Sequence, residues 1–280
     1  MVVQYTKVHK YGHQSPRQLL KHYRVAVPSS QITQNTPIVY IHGGAWVGES
    51  HTYNEFGPLI DKLDLQLNNG PYTTERHIAE IQFFGLDYRV SPEVVHPHHI
   101  LDVLHALSFI YELGVHKVSL IGHSAGSTMC TQILEYATFL SFYGVEFTLP
   151  VPEIESIVFL DGIFDIPKML EEYPSYLHEF VEIAFRSEQD WSKKCNMVHY
   201  RMTNDLKREI REKFNSLRKT IIAHSTKDEL LSTRQPTEFC KWLDQLPYTY
   251  YKYIVQDMGT HNETYESDGL VSIIIQHLLH

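Results

Sequence analysis

A chain of 280 residues, 43% of them hydrophobic, has the apolar content for one large folded domain and is inconsistent with general disorder. Its 33 acidic residues outnumber 24 basic ones, and the resulting formal charge of −9 argues against nucleic acid or an anionic membrane as partner. "MVVQYTKVHKYGHQ" has polar and charged residues where a signal peptide needs an apolar stretch, and the closing "GLVSIIIQHLLH" is too short for a membrane span.

In chain order, strand and helix patterns alternate. "KHYRVAV" (21–27) and "PIVYIH" (37–42) are strand-like, residues 52–67 suit a helix, and "LNNGPYTTERH" (67–77) suits an exposed polar loop. "IAEIQFFGLDY" (78–88) ends in a strand. An amphipathic helix over 98–113 follows, with Ile100, Leu101, Leu104, Leu107 and Ile110 on one side. Val118, Leu120 and Ile121 end another strand, and Met129, Ile133, Leu134 and Ala137 recur at helical spacing. "ESIVFLDG" (155–162), "KTIIAHS" (219–225) and "YTYYKYIVQ" (248–256) complete the strands. A helix over 233–246 separates the last two, and a final one covers 263–279. Such alternation predicts a single α/β domain over residues 1–280: a mostly parallel central sheet flanked by helices. Residues 166–218 break the rhythm, being long, charged and helical throughout. They are expected to form a helical cap over the carboxyl edge of the sheet, where open α/β folds bind ligands. The cysteines, Cys130, Cys195 and Cys240, are few and far apart, which suits free thiols in a reducing cytosol and a cytoplasmic location.

"VSLIGHSAGS" (118–127) places Ser124 where a strand turns abruptly into a helix. Gly122 and Gly126, two before and two after, allow strand and helix backbones to approach closely. This is the G-x-S-x-G nucleophile elbow, in which a strained serine exposes its hydroxyl. A hydroxyl that attacks a carbonyl needs a base, a carboxylate to orient that base, and donors for the oxyanion. In sheet enzymes of this kind the order is Ser, acid, His, each from a loop at a strand's carboxyl end. His261, in "DMGTHNET" after the last strand, fits the base. Asp228, in "HSTKDELL" after the preceding strand, fits the acid, with Glu229 as near competitor and Asp257 in the wrong order. "IHGGAW" (41–46) ends its own strand in glycines, so the N–H groups of Gly43 and Gly44, joined by that of Ala125, suit an oxyanion hole. Ala45 leaves open which of Gly43, Gly44 and Ala45 donate. His42 precedes the serine and suits a structural role.

"HGGAW", "DYRVSPE" (87–93), "GHSAG" and the order "KDE…GTHNE" resemble the α/β-hydrolase superfamily on its hormone-sensitive-lipase-like side. With "LDGIFDI" (160–166), they resemble most the fungal kynurenine formamidase (arylformamidase) family, from about residue 36 to the end. The resemblance implies the α/β-hydrolase fold, with Ser124 as nucleophile, Asp228 as acid and His261 as base. It also implies hydrolysis of N-formylkynurenine to kynurenine and formate, a step of tryptophan breakdown toward NAD synthesis. No cofactor and no metal are expected.

A formyl group needs little acyl pocket, whereas the aromatic leaving group needs an apolar one with polar anchors. Trp46 is the candidate for substrate binding. Phe164, Tyr173, Tyr176 and Phe180 suit ordinary packing. Rival readings are a short-chain carboxylesterase of the same fold, a metal-dependent formamidase with an H-x-G-T-H motif, and a binding protein on a hydrolase scaffold. In "DMGTHNE" Asp257 stands where that motif's first His belongs. "HPHH" (96–99) lacks a matching acidic or Cys set. Oligomeric state is not legible.

Overall fold

The computed structural model describes residues 5–68, 77–201, 203–246 and 249–280. Most of the polar loop expected over 67–77 lies outside them, as does Tyr248 at the start of the last expected strand. The strands are β1 (Tyr5–Lys10), β2 (Leu19–Pro28), β3 (Ile38–Ile41), β4 (Ile78–Leu86), β5 (Lys117–His123), β6 (Glu153–Leu160), β7 (Lys219–Ser225) and β8 (Lys252–Gln256). They form one sheet in the order β1-β2-β4-β3-β5-β6-β7-β8. The pairs β1–β2 and β2–β4 are antiparallel, and all others are parallel.

Helices α1 (Gly57–Asn68), α2 (His98–Glu112), α3 (Ala125–Leu134) and α4 (Tyr136–Ser141) precede β6, while α8 (Arg234–Leu243) and α9 (Asp268–Ile273) follow β7 and β8. Between β6 and β7 lie α5 (Ile166–Glu172), α6 (Glu182–Ala184), α7 (Asn204–Ser216) and shorter helical turns, with no strand among the described residues. Asp165 caps α5 by accepting the Lys168 N–H at 2.9 Å, and Thr203 caps α7 by accepting that of Leu206 at 3.2 Å.

The central strands are apolar on both faces, as a doubly covered sheet requires. Along β3, Val39 and Ile41 join the core beneath α2, α3 and α8, while Ile38 and Tyr40 join the core beneath α1 and α9. A third cluster sits at the carboxyl end of the sheet. There Trp46 and Ala125 pack with Ile163, Ile166, Met169, Phe180, Phe185 and Leu231. The expected helix over 52–67 begins at Gly57, after a turn. Phe164 stacks on Phe239 at 4.1 Å in the sheet core, away from that third cluster. No described helix is long and apolar enough to cross a membrane. The three cysteines are free and buried.

The helical pattern that runs past Ile133 is broken at Glu135, whose φ of −139° separates α3 from α4. Its side chain is buried, and burial, reinforced by Glu209, raises its carboxyl to about 8. A carboxyl with a folded pKa above its unfolded value loses stability for the fold as pH rises from about 4.5 toward 8, because the unfolded chain ionises first. Glu135→Gln removes that slope. Its gain in unfolding free energy over the parent, measured in urea, is therefore expected to be larger at pH 8 than at pH 5. An equal change at both pH values would contradict it.

Candidate active site

The loops at the carboxyl ends of β3, β5, β7 and β8 carry the residues in question. The first is the turn from β5 into α3. Ser124 occupies it with φ 55° and ψ −118°, a backbone conformation that side chains rarely adopt. Its N–H donates to the Leu160 carbonyl at 2.9 Å, and its carbonyl accepts from Ser127 N–H at 3.0 Å. The flanking glycines are sterically required. A Cβ on Gly122 would stand 2.5 Å from the Gly126 carbonyl oxygen, and one on Gly126 would collide with the Ile41 carbonyl.

The second element is the HGGAW turn after β3. A Cβ on Gly43 would lie 2.8 Å from the Ser124 Cβ, so this backbone passes directly beside the serine. Gly44, Ala45 and Trp46 all have positive φ (82°, 49° and 63°). Two successive non-glycine residues in that region cost about 1–2 kcal/mol each. The strain turns the chain so that Trp46 enters the third cluster, edge-on to Phe185 at 5.1 Å. Outside the ladders and helices, no hydrogen bond among the described residues uses the N–H of Gly43 or Gly44. Ala125, as the first residue of α3, has no helical acceptor for its own. The Tyr88 hydroxyl reaches the carbonyl oxygens of His42 and Gly43 at 3.0 and 2.9 Å and fixes the opposite side of this turn. The His42 ring stacks on Tyr88 at 4.2 Å, with Nδ1 3.0 Å from the Gly43 oxygen. Its surroundings are structural, as the sequence suggested.

The third element is the His261 loop. His261 Nδ1 lies 2.8 Å from Asp228 Oδ2. The other Asp228 oxygen accepts the N–H groups of Leu230 and Leu231 at 2.9 and 2.8 Å, which locks the carboxylate in place. Glu229 accepts the backbone N–H of His261 at 2.9 Å, so the competing acid holds the loop and not the ring. Thr264 Oγ1 donates to the His261 carbonyl at 2.8 Å, and His123 Nε2 reaches it at 3.0 Å. Burial, then the neighbouring His261, pushes the His123 pKa well below its usual value, so His123 is a neutral tether. With Nδ1 taken by Asp228, Nε2 is the ring nitrogen left for chemistry. Ser124 and His261 are each 4% exposed, inside an enclosed site. Asp257 caps the Gly259 N–H at 3.1 Å within the loop.

Sequence reasoning singled out Ser124, Asp228, His261 and the glycine turn; Asp228 lies 2.8 Å from His261, and the glycine turn passes beside Ser124. It missed Tyr88, Glu229's contact, His123, Asp161 and His224. "DYR" was a visible signal for Tyr88. The others come from β5, from β7 and from the segments that follow β6 and β7, and nothing local marks their meeting. Two overlapping groups could hold a metal by composition, His123–Asp161–His261 and Asp161–His224–Asp228, each with ligand atoms within 4.8 Å of one another. His96 and His99 of "HPHH" instead bond Gln132 at 3.2 Å and Ser91 at 3.1 Å.

The BD-FAE family profile matches residues 24–133. In sequence the chain is similar to the kynurenine formamidase of Meyerozyma guilliermondii, 34% identical over 240 residues, which are 85% of this chain and 82% of that one. It is similar also to those of Eremothecium gossypii (31% over 250 residues, 86% and 92%) and Saccharomyces cerevisiae (26% over 256 residues, 89% and 91%). In fold it is similar to carboxyl esterase 2 of Tuber melanosporum, with a TM-score of 0.65 at 15% identity, covering 100% of this chain and 88% of that one. A truncated carbohydrate esterase from gut microbiota gives 0.63 at 16%, covering 98% and 95%. This confirms the α/β-hydrolase fold.

The two candidate acids are separated by conservative variants. Asp228→Asn is expected to lower kcat about 10³–10⁴-fold, by analogy with triad enzymes generally. Glu229→Gln, which keeps an acceptor for the His261 N–H, is expected to cost less than about tenfold. Steady-state kinetics checks this, and the reverse ranking would move the acid to Glu229.

Proposed function

We infer the reaction from one premise: the chain belongs to the kynurenine formamidase family, and it hydrolyses N-formyl-L-kynurenine to L-kynurenine and formate. The observation that best supports this reading is an elbow serine beside the glycine turn, together with a histidine on the loop after β8 held 2.8 Å from Asp228. Ser124 Oγ attacks the formyl carbon while His261 Nε2 takes its proton. Asp228 holds the imidazole in the tautomer that accepts on Nε2 and offsets the imidazolium charge. The N–H groups of Gly43, Gly44 and Ala125 receive the oxyanion. The intermediate collapses as the imidazolium gives its proton to the arylamine nitrogen, which leaves as kynurenine. Water then attacks the formyl ester on Ser124, with His261 again as base, and formate leaves.

The substrate half of the site follows from the third cluster. The helical segment 166–218 is assigned as the cap, because its Ile166, Met169, Phe180 and Phe185 pack against Trp46 and Ala125 at the serine. Trp46, which packs in the same cluster as Ala125, is assigned to close the acyl side, in keeping with an acyl group as small as formyl. The indole nitrogen is buried with no hydrogen-bond partner among the described residues and suits a polar atom of the substrate. The aryl and amino-acid parts then position the formyl carbon, so their binding energy lowers the barrier. Buried free thiols accord with a cytosolic location.

Ser124→Ala is expected to abolish nearly all turnover of N-formylkynurenine while the protein stays folded. Retained activity would sink the mechanism. Because His261 must be neutral to accept a proton, kcat/KM is expected to rise from acid to neutral pH. Lengthening the acyl group from formyl to acetyl to butyryl on the same amine should lower kcat/KM steeply, and Trp46→Ala should flatten that series. Equal turnover of all three acyl groups, with no advantage of formylkynurenine over aryl esters, would favour the carboxylesterase reading.

A further inference from the structure

Beneath the three residues of the reaction lie ionisable side chains that the steps above do not use. Asp161 follows β6, is fully buried, and has a φ of 43°. Its Oδ1 accepts the Ser225 N–H at 2.8 Å. His224, in β7, is 1% exposed. Its Nδ1 lies 3.1 Å from Asp161 Oδ1. Its Nε2 lies 3.1 Å from the Leu231 carbonyl oxygen and 3.8 Å from Asp228 Oδ2. An oxygen of Asp161 also comes within 4.8 Å of ring nitrogens of His123 and His261.

Two buried carboxylates this close do not both stay ionised without a cation between them. Neither nitrogen of His224 faces a donor. One lies 3.1 Å from a carboxylate oxygen, close enough for charge attraction though not aligned as a hydrogen bond, and the other meets a carbonyl with a second carboxylate beyond it. A neutral imidazole would aim a lone pair at oxygen on one side or the other. Burial raises the Asp161 carboxyl, and His224 is the strongest influence in the opposite direction, with Asp228 adding to the rise. Of the remaining neighbours, His123 is neutral, and Glu229 is bound to the His261 N–H.

We propose that His224 is held as an imidazolium shared by Asp161 and Asp228, and that Asp161 and His224 are positioning residues that keep Asp228 ionised beneath His261. The inference rests on the assignment of Ser124, Asp228 and His261 above. Two carboxylates and one imidazolium leave a single net negative charge under the base, which is the charge that stabilises His261 when it takes the serine proton.

The pH dependence of kcat/KM for N-formylkynurenine tests this. His224→Gln leaves two negative charges. A proton then binds more tightly, on His261 or between the carboxylates, and either event stops the reaction. The midpoint of the acid limb is expected to move up by about one pH unit or more. Asp161→Asn removes one negative charge and is expected to move the midpoint down. The double variant Asp161→Asn/His224→Gln removes a neutral pair and is expected to return it close to the parent value. A lesion that only loosens the loops would lower kcat in both single variants and move neither midpoint in opposite directions, and that result overturns the proposal. Should His224→Gln fail to fold, the ¹⁵N-histidine spectrum of the unmodified protein decides, with the double variant assigning the His224 signals. Both ring nitrogens protonated at pH 7 support the proposal, and one bare nitrogen overturns it. Ser124→Ala separates the two levels. If it stays active, the triad reading falls. If it is inactive while the midpoints do not respond as stated, only this inference falls.

Discussion

The site depends on backbones that touch where no side chain fits. The end of β3 and the start of α3 are so close that a methyl group on Gly126 would strike the carbonyls of Ile41 and His42. One on Gly43 would strike both Ser124 and His123. This contact holds the strained serine against the turn that carries the free N–H groups. Tyr88 secures it from the other side through two carbonyls, and the Ser124 N–H bond to Leu160 ties it to β6. The nucleophile and its oxyanion donors are therefore one rigid unit, set by the sheet before any substrate enters.

The base is built in the opposite way, from a loop that would wander without tethers. His261 is held at its N–H by Glu229, at its carbonyl by His123 and Thr264, and at Nδ1 by Asp228. Ser225 adds a further tie, accepting the Met258 N–H at 3.1 Å and donating to the Gly259 carbonyl. Two loops from adjacent parallel strands are thus stitched together by side chains of β5 and β7. A buried polar network of this kind is worth its desolvation only when its members are satisfied together. The neutral His123 and the Asp161–His224–Asp228 group are where that balance is struck.

Much of this was legible in the sequence, for physical reasons. Parallel strands buried on both faces are apolar runs, so β3, β5, β6 and β7 stood out. The order of Ser124, Asp228 and His261 along the chain follows from the order of the strand ends. β1 was missed because "YTKVHK" is an edge strand. Its Lys7 and exposed Val8 give no apolar alternation, and charge is what an unpaired edge carries. The break at Glu135 was missed because helical periodicity continues through it. The final helix is shorter and less regular than its pattern, with α9 ending at Ile273 and a wider turn, Ile274–Leu278, after it. Within the site, residues read by local motif were found, whereas Asp161, His224 and His123 matter through contacts to residues far away in sequence, up to 138 residues for His123 and His261.

The central claim is that N-formylkynurenine reacts at Ser124. The most direct measurement is covalent labelling by a fluorophosphonate, located by mass spectrometry, with and without N-formylkynurenine as competitor. The account predicts one modified residue, Ser124, and a labelling rate that falls as the substrate fills the site. Label on another residue, no label at all, or labelling of Ser124 that saturating N-formylkynurenine leaves untouched would contradict it.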